Sequence, residues 1–185
     1  MNACKARRAL AAGAVGAALL ALTGSAIGAG GKAPARAKLA IKGKDSFKPN
    51  AYLKFSEFFA PGTVTIRSGG TVTLTNGTDG PHTLSIVSRS QRPRTLEQVE
   101  NCSVCGTILS SHGINPEGPP TPGPPPHPIV DVCGAGFNAP GDSTVIGPKG
   151  RPGGRITFKV TARPGTTLNF ICAIHPWMQG RFLVK

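Results

Sequence analysis

Acidic and aromatic residues are scarce in this sequence. Only 8 Asp and Glu stand against 21 Lys and Arg, which gives a net charge of +13, and aromatic residues make up 5% of the chain. A strongly basic chain often binds nucleic acid, but here the basic residues are scattered and no helical or aromatic surface for contacting bases is recognisable. We therefore expect no nucleic-acid partner, and favour an acidic protein face or peripheral association with an anionic membrane.

The sequence also lacks a long run of Leu and Ile. Its N-terminal apolar run, Ala9 to Leu22, consists mostly of Ala and Gly, follows three basic residues and precedes a stretch of small residues. This order is typical of a secretory signal, and the weak hydrophobicity disfavours a permanent transmembrane anchor. We predict a signal peptide over residues 1–28, a flexible leader over 29–39 and an extracytoplasmic location, periplasmic or secreted. The adjacent arginines leave general and twin-arginine export both open.

Short runs rich in Thr, Val, Ile and Phe recur between Gly and Pro residues, and each is typical of a β-strand. Several alternate small polar with large apolar side chains, so that one face can lie on a core and the other in water. No amphipathic helix of three turns competes with them. We predict an all-β domain, an antiparallel β-sandwich, over residues 40–185. The predicted strands begin at Thr63, Thr71, His82, Arg155, Thr167 and Arg181.

The strand pattern stops over residues 88–154. Within this segment lies a tract, Asn115 to Pro128, in which eight of fourteen residues are proline. Neither a regular helix nor a regular strand tolerates that proline density. A structureless stretch of this length usually means an inserted loop region, so we place 88–154 outside the core and expect it to serve as a partner or assembly surface.

Three cysteines fall in the insertion. Cys102 and Cys105 have the spacing of a haem attachment site, but Gly106 occupies the place of its required His. In an oxidising compartment a disulfide is favoured, either within this pair or involving Cys133. A second metal site and free thiols remain alternatives.

The C-terminal region carries a thiol, an imidazole and a thioether at equal intervals. Cys172, His175 and Met178 are three residues apart, and Met178 is the one methionine after the initiator. A short loop after a strand can turn all three toward one ion, and two sulfurs with imidazole suit copper. A fourth ligand must come from elsewhere, and His82 lies at a turn leading into a strand. Cys172 could instead belong to a structural disulfide, but the matching positions of His82, His175 and Met178 would then be a coincidence.

The same residues resemble a known family. The form Cys-x-x-His-Pro-aromatic-Met-x-Gly from Cys172 to Gly180 is similar to the ligand loop of the cupredoxins, the blue type 1 copper proteins, and most similar to their amicyanin- and plastocyanin-like members. The family's Gly-x-x-Val-x-x-x-Asn stretch before the first His is matched from Gly69 to Asn76. The resemblance covers 47–87 and 155–185.

The resemblance implies a Greek-key, cupredoxin-like β-sandwich that binds one type 1 copper ion. It implies His82, Cys172 and His175 as the strong equatorial ligands and Met178 as the weak axial ligand. One departure concerns Thr83, because many relatives have Asn directly after the first His, where it steadies the loop and hydrogen-bonds the Cys sulfur. The reduction potential therefore cannot be carried over.

The function that these features favour is single-electron transfer between redox partner proteins, with no small-molecule substrate and no enzyme activity. Copper oxidases and reductases also need His-x-His ligands, and the four histidines contain no such pair. Extracytoplasmic copper storage or delivery is the alternative, but it prefers exposed Met-rich or His-rich ligands. By the resemblance, an apolar patch around His175 should form the electron exit, made here by Ala173, Ile174, Pro176 and Trp177.

Overall fold

The computed structural model describes residues 32–118, 123 and 125–185. The predicted signal peptide over 1–28 lies outside the described residues. Within them the chain forms strands, one turn of 3-10 helix (Arg89–Gln91) and two short α-helices, α1 (Leu96–Glu100) and α2 (Cys105–Ser111). The strands are β1 (Arg36–Lys42), β2 (Asp45–Lys48), β3 (Tyr52–Phe55), β4 (Phe58–Ala60), β5 (Thr63–Ile66), β6 (Gly70–Asn76), β7 (His82–Val87), β8 (Ile129–Val130), β9 (Ser143–Ile146), β10 (Arg155–Val160), β11 (Thr167–Ile171) and β12 (Gln179–Val184).

Two sheets form the domain, as the all-β prediction requires. One has the strand order β10-β6-β1-β4, and the other has the order β5-β12-β11-β7-β9-β8. Most neighbours are antiparallel, but β1 pairs with β6, and β5 with β12, in parallel. The sheets are therefore mixed rather than purely antiparallel, because each sheet contains one parallel pair that includes an N-terminal strand, β1 or β5. A separate hairpin of β2 and β3 completes the β-structure of the described residues.

The main core draws side chains from both sheets. Its largest fully buried members include Phe170 and Phe182 from the six-stranded sheet and Leu74 from the four-stranded sheet. Strand β6 alternates buried and partly exposed residues along most of its length, as the period of a half-buried strand demands. Burial of this apolar surface is the main driving force for folding.

The N-terminal strand corrects the predicted leader. Strand β1 begins at Arg36, inside the segment 29–39 that the composition assigned to a flexible leader, and its Leu39 is 1% exposed. Alternation of Lys and Ala with Leu39 and Ile41 places the two large apolar side chains on one face. The ordered domain therefore begins earlier than residue 40, because β1 pairs along β6 from Arg36 onward.

The insertion also differs from the prediction. Strand β9 lies within 88–154 and pairs with β7, placing His82 opposite Ile146. The two-residue β8 extends the sheet beyond β9. Part of the predicted insertion is thus an integral strand of the domain. The sequence pattern did not predict β9, because a run of four residues is too short to show the alternation of a strand.

Helix α2 covers the outer face of the six-stranded sheet. Cys105 and Ile108 form a second buried cluster with Val87, Ile171 and Ala173. This contact explains why all six residues of β7 are buried, since one face meets the main core and the other meets the insertion.

A disulfide fixes the start of α2. It joins Cys102 and Cys105, so one of the predicted uses of the pair is confirmed, and Cys172 is a free, buried thiol. A covalent link at this point restrains the turn that brings α2 onto the sheet.

Among the described residues, none of the helices has the length and apolar character needed to cross a lipid bilayer.

The packing of α2 predicts unequal effects of two truncations. Ile108→Ala should lower the free energy of unfolding by about 2–4 kcal/mol, because it opens a cavity beneath a helix whose Ile108 is 5% exposed. Leu96→Ala in α1 is the control, since Leu96 is 73% exposed and the change should stay within about 0.5 kcal/mol. Urea unfolding followed by circular dichroism measures both. Equal effects would contradict the packing of α2 on the sheet.

Candidate metal centre

His82 is the first residue of β7, and its side chain is 1% exposed. It shares the face of β7 that carries Leu84 and Ile86, both members of the main core. The turn from Asp79 to Pro81 ends directly before it, so the imidazole lies at the end of the core rather than within it.

The other three predicted ligands share one loop between adjacent strands. Cys172 follows the last residue of β11, and Met178 precedes the first residue of β12. The Cys172 N–H donates to the Met178 carbonyl at 3.0 Å, and the Met178 N–H donates to the His175 carbonyl at 2.9 Å. These bonds close the loop at its base. Cys172 and Met178 are buried, and His175 is half-buried.

Three of the predicted side chains converge. The Nδ1 atoms of His82 and His175 are 3.0 Å apart, and Cys172 Sγ lies 3.8 Å and 3.7 Å from them. A metal ion lies about 2.0 Å from a His nitrogen and about 2.3 Å from a thiolate, so donors roughly 3–4 Å apart can share one ion. The spacing and the soft donor set fit a bound metal.

Met178 belongs to the same buried region. Its side chain is 1% exposed and lies in the main core cluster together with Cys172. The backbone bonds to Cys172 and His175 hold it in the ligand loop. Its role as the fourth ligand stays a prediction.

A hydrogen-bond network behind His82 fixes the orientation of the ring. The Thr78 hydroxyl donates to Asn76 Oδ1 at 2.8 Å and lies 2.7 Å from His82 Nε2. Because that hydroxyl proton is already used, Thr78 accepts the Nε2–H, and His82 Nδ1 keeps its lone pair for a metal. The Asn76 amide donates in turn to the carbonyls of Gly80 and Gly147.

Thr83 contacts the ligand loop in two ways. Its N–H donates to Cys172 Sγ at 3.3 Å, and its hydroxyl accepts the Ala173 N–H at 2.7 Å. Although Thr83 stands where the resemblance would place Asn, it both donates a hydrogen bond to the sulfur and holds the loop. The N–H points at the sulfur because β7 runs beside β11, where Ile171 pairs with Ser85.

Buried polar groups continue from Thr83 into the insertion. The Thr83 and Ser85 hydroxyls are 3.0 Å apart, Ser85 and Ser143 are 2.7 Å apart, and the Ser143 hydroxyl lies 2.8 Å from His112 Nε2. The second nitrogen of His112 contacts the carbonyl of His127. All four side chains from Thr83 to His112 are buried. No sequence pattern predicts this chain of contacts, because most of its members are far apart along the sequence.

Burial controls the protonation of the three converging groups. It lowers the pKa of His82 to about 4, with the neighbouring His175 lowering it further, and it also lowers the pKa of His175. Burial raises the pKa of the Cys172 thiol, although the Thr83 N–H opposes this effect. Both imidazoles are therefore neutral near pH 7 and can donate to a metal. The thiol needs a cation nearby before it ionises.

The predicted apolar patch around His175 is smaller than expected. Ala173 and Pro176 are buried, Ala173 in the cluster that it forms with residues of α2, whereas Ile174 and Trp177 are partly exposed. The Trp177 ring lies 5.1 Å from His175 and 5.2 Å from Phe55 of β3. The hairpin of β2 and β3 thus flanks the ligand loop, which the sequence pattern did not predict.

The contact between Thr83 and Ala173 predicts the effect of removing one hydroxyl. Thr83→Val should lower the free energy of unfolding of the metal-free protein by about 1–3 kcal/mol, because the buried Ala173 N–H loses its acceptor. The matched control is Thr65→Val on the exposed face of β5, which should change stability by no more than about 0.5 kcal/mol. Denaturant titration compares the two, and similar stabilities would show that the Thr83 hydroxyl does not hold the loop.

No protein-family model and no curated protein matches this sequence. Among solved structures, the chain is similar to an auracyanin from Roseiflexus castenholzii, with 20% identity and a TM-score of 0.44 over 83% of this chain and 98% of that chain. It is also similar to a purple cupredoxin from Nitrosopumilus maritimus, with 17% identity and a TM-score of 0.39 over 80% of this chain and 99% of that chain.

An amicyanin from Paracoccus versutus is a third such structure, with 15% identity and a TM-score of 0.35 over 80% of this chain and 79% of that chain. All three TM-scores are low, so the fold and the candidate site rest on the chain's own strands and donor atoms. These three solved structures are cupredoxins.

Proposed function

We propose that this chain is an exported type 1 copper protein of the cupredoxin family that binds one copper ion and carries single electrons between redox partner proteins. The observation that supports this most strongly is the convergence of one thiol and two imidazole Nδ1 atoms within 4.8 Å of one another. A thiolate with two imidazoles is the equatorial donor set of blue copper sites.

In this proposal His82, Cys172 and His175 are the strong ligands, and Met178 is the weak axial ligand. Met178 is favoured because it lies in the same closed loop and is as deeply buried as Cys172. The Thr83 N–H adds a hydrogen bond to the sulfur, and such contacts to a ligating thiolate tune the reduction potential.

Electron transfer is favoured by how firmly the donors are held. When bound, copper supplies a one-electron change between its two oxidation states. The chain holds His82 through Thr78 and Asn76, and it holds Cys172 through the bond from its N–H to the Met178 carbonyl and through the Thr83 N–H that donates to its sulfur. Ligands fixed in this way move little when the charge changes, which lowers the reorganisation needed for transfer.

Copper storage or delivery remains the alternative function. Delivery requires ligands that a receiving protein can reach and exchange. Here Cys172 is fully buried and His82 is 1% exposed, and only His175 approaches the surface. This burial favours a resident copper over a transferable one. It also favours an electron carrier over an enzyme, because a substrate could not reach the buried side chains of His82, Cys172 and Met178.

The partner in this proposal is a protein that docks near His175. Trp177 and Ile174 supply the partly exposed apolar surface there, and Phe55 extends it. A net charge of +13 for the full chain favours a partner with an acidic face, since long-range attraction accelerates encounter. Export would place this exchange in the periplasm or outside the cell.

The ligand set predicts an intense colour. Protein refolded with one equivalent of Cu(II) should absorb strongly in the visible region through charge transfer from the Cys172 thiolate, and it should bleach when ascorbate is added. Cys172→Ser should abolish the band. Cys102→Ser with Cys105→Ser is the control, and it should keep the band because neither sulfur belongs to the site. Weak absorption from the wild-type copper complex would disprove the proposal.

The axial role of Met178 has its own test. Met178→Leu should retain copper and the visible band but shift the reduction potential upward, because a donor that favours the oxidised ion is gone. Ile41→Leu, a volume-conserving change in the core on β1, should leave the potential unaltered. Protein-film voltammetry measures both. An unchanged potential and spectrum in Met178→Leu would remove Met178 from the ligand set.

A further inference from the structure

Four arginines gather where the insertion leaves β7. Arg89, Arg92 and Arg94 follow the end of that strand closely, and Arg181 lies on β12. Together they line three clefts. Arg89, Arg92 and Arg181 line a cleft of about 670 Å³, and Arg89, Arg92 and Arg94 line a cleft of about 180 Å³. Arg92 and Arg181 line a third cleft of about 360 Å³. Arg92 is common to all three clefts. We call these four residues the arginine cluster.

The arginine cluster lacks a neutralising carboxylate within the described part of the chain. Among the described residues, neither Asp nor Glu lines any of the three clefts. Burial, and then the charges of the other three arginines, lower the pKa of Arg92. Four like charges held together carry a repulsion that an anion would relieve.

The central guanidinium is held in place by neutral side chains. Arg92 Nε donates to Gln179 Oε1 at 3.0 Å, and Arg92 Nη1 donates to Asn169 Oδ1 at 3.2 Å. The Gln179 amide donates in turn to the carbonyls of Pro93 and Pro176. Only two of the five N–H donors of Arg92 are used within the described part of the chain, so three are available to a ligand.

We propose that the arginine cluster is a binding site for a multivalent oxyanion of the phosphate class, seated in the cleft of about 670 Å³. Guanidinium groups present paired donors whose geometry matches phosphate oxygens. Neutral donors complete the lining, namely Ser88, Asn138, Thr166, Thr167 and Asn169. The cleft falls in the size range of small-molecule sites and exceeds what a chloride ion needs.

This site is separate from the proposed copper ligands, because none of them lines the three clefts. Oxyanion binding therefore does not depend on the copper proposal. The phosphate group could belong to a free ligand or to an anionic lipid headgroup, since both present the same oxygens to the cluster.

Calorimetric titration of the copper-free protein with inorganic pyrophosphate tests the proposal. We expect saturable binding of one pyrophosphate per chain in a chloride buffer, and a loss of affinity of about tenfold in Arg89→Gln and in Arg181→Gln, which are exposed and make no bond to the ligand loop. Arg92→Lys should also weaken binding, because it keeps the charge but loses the fork of donors.

The control is Arg36→Gln on β1, an exposed arginine of the other sheet, and it should bind pyrophosphate like the wild type. Absence of saturable binding would overturn the proposal. An equal loss of pyrophosphate affinity in Arg36→Gln and Arg89→Gln would also overturn it, because binding would then depend on the overall positive charge of the chain rather than on the arginine cluster. Citrate binding as tightly as pyrophosphate would also overturn it, since the site would then respond to charge alone.

Vesicles distinguish the two sources of phosphate. Cosedimentation with phosphatidylglycerol vesicles that is lost in Arg89→Gln but kept in Arg36→Gln would support the proposal and assign the phosphate to a lipid headgroup. Pyrophosphate binding without cosedimentation would support it with a free phosphate ligand.

Discussion

The contact between Thr83 and the loop that follows β11 is the constraint on which the candidate metal centre depends. The four predicted ligands come from two places about 90 residues apart, one at the start of β7 and three in a single loop. Pairing of β7 with β11 brings these places side by side, and the Thr83 N–H and hydroxyl then fix Cys172 and Ala173. Without that contact the sheet would still align the strands, but nothing else described in β7 would hold the sulfur against His82.

The insertion contributes to this constraint rather than lying apart from it. Strand β9 pairs along β7, and its Ser143 joins the buried polar chain that runs from Thr83 to His112. Helix α2 covers the same face with apolar side chains. Buried hydroxyls are costly unless they are paired, so the polar chain is stable only because the insertion supplies the last partners. The segment with the least regular composition thus supplies the last hydrogen-bond partners of the polar chain that begins at Thr83.

The sequence allowed the ligand loop and six of the twelve strands in the described residues to be predicted, because these are local patterns; the six are β5, β6, β7, β10, β11 and β12. Cys172, His175 and Met178 lie within seven residues, so their spacing alone suggested a shared ion, and the convergence of two of them with His82 agrees with that interpretation. Strand β9 was missed because four residues are too few to show a period, and β1 was missed because Lys and Ala dilute its apolar alternation. Thr78 and His112 carry no local signal at all, since their partners are set by tertiary packing.

The long sequence separation between His82 and the C-terminal loop has a consequence for biogenesis. A chain synthesised from its N-terminus exposes β7 well before β11 and β12, and β11 is the strand that aligns Cys172 with the first imidazole. Until β11 emerges, His82 has none of the other three predicted ligands beside it. The donors converge only after β7 has paired with β11, so folding of the six-stranded sheet precedes assembly of the site.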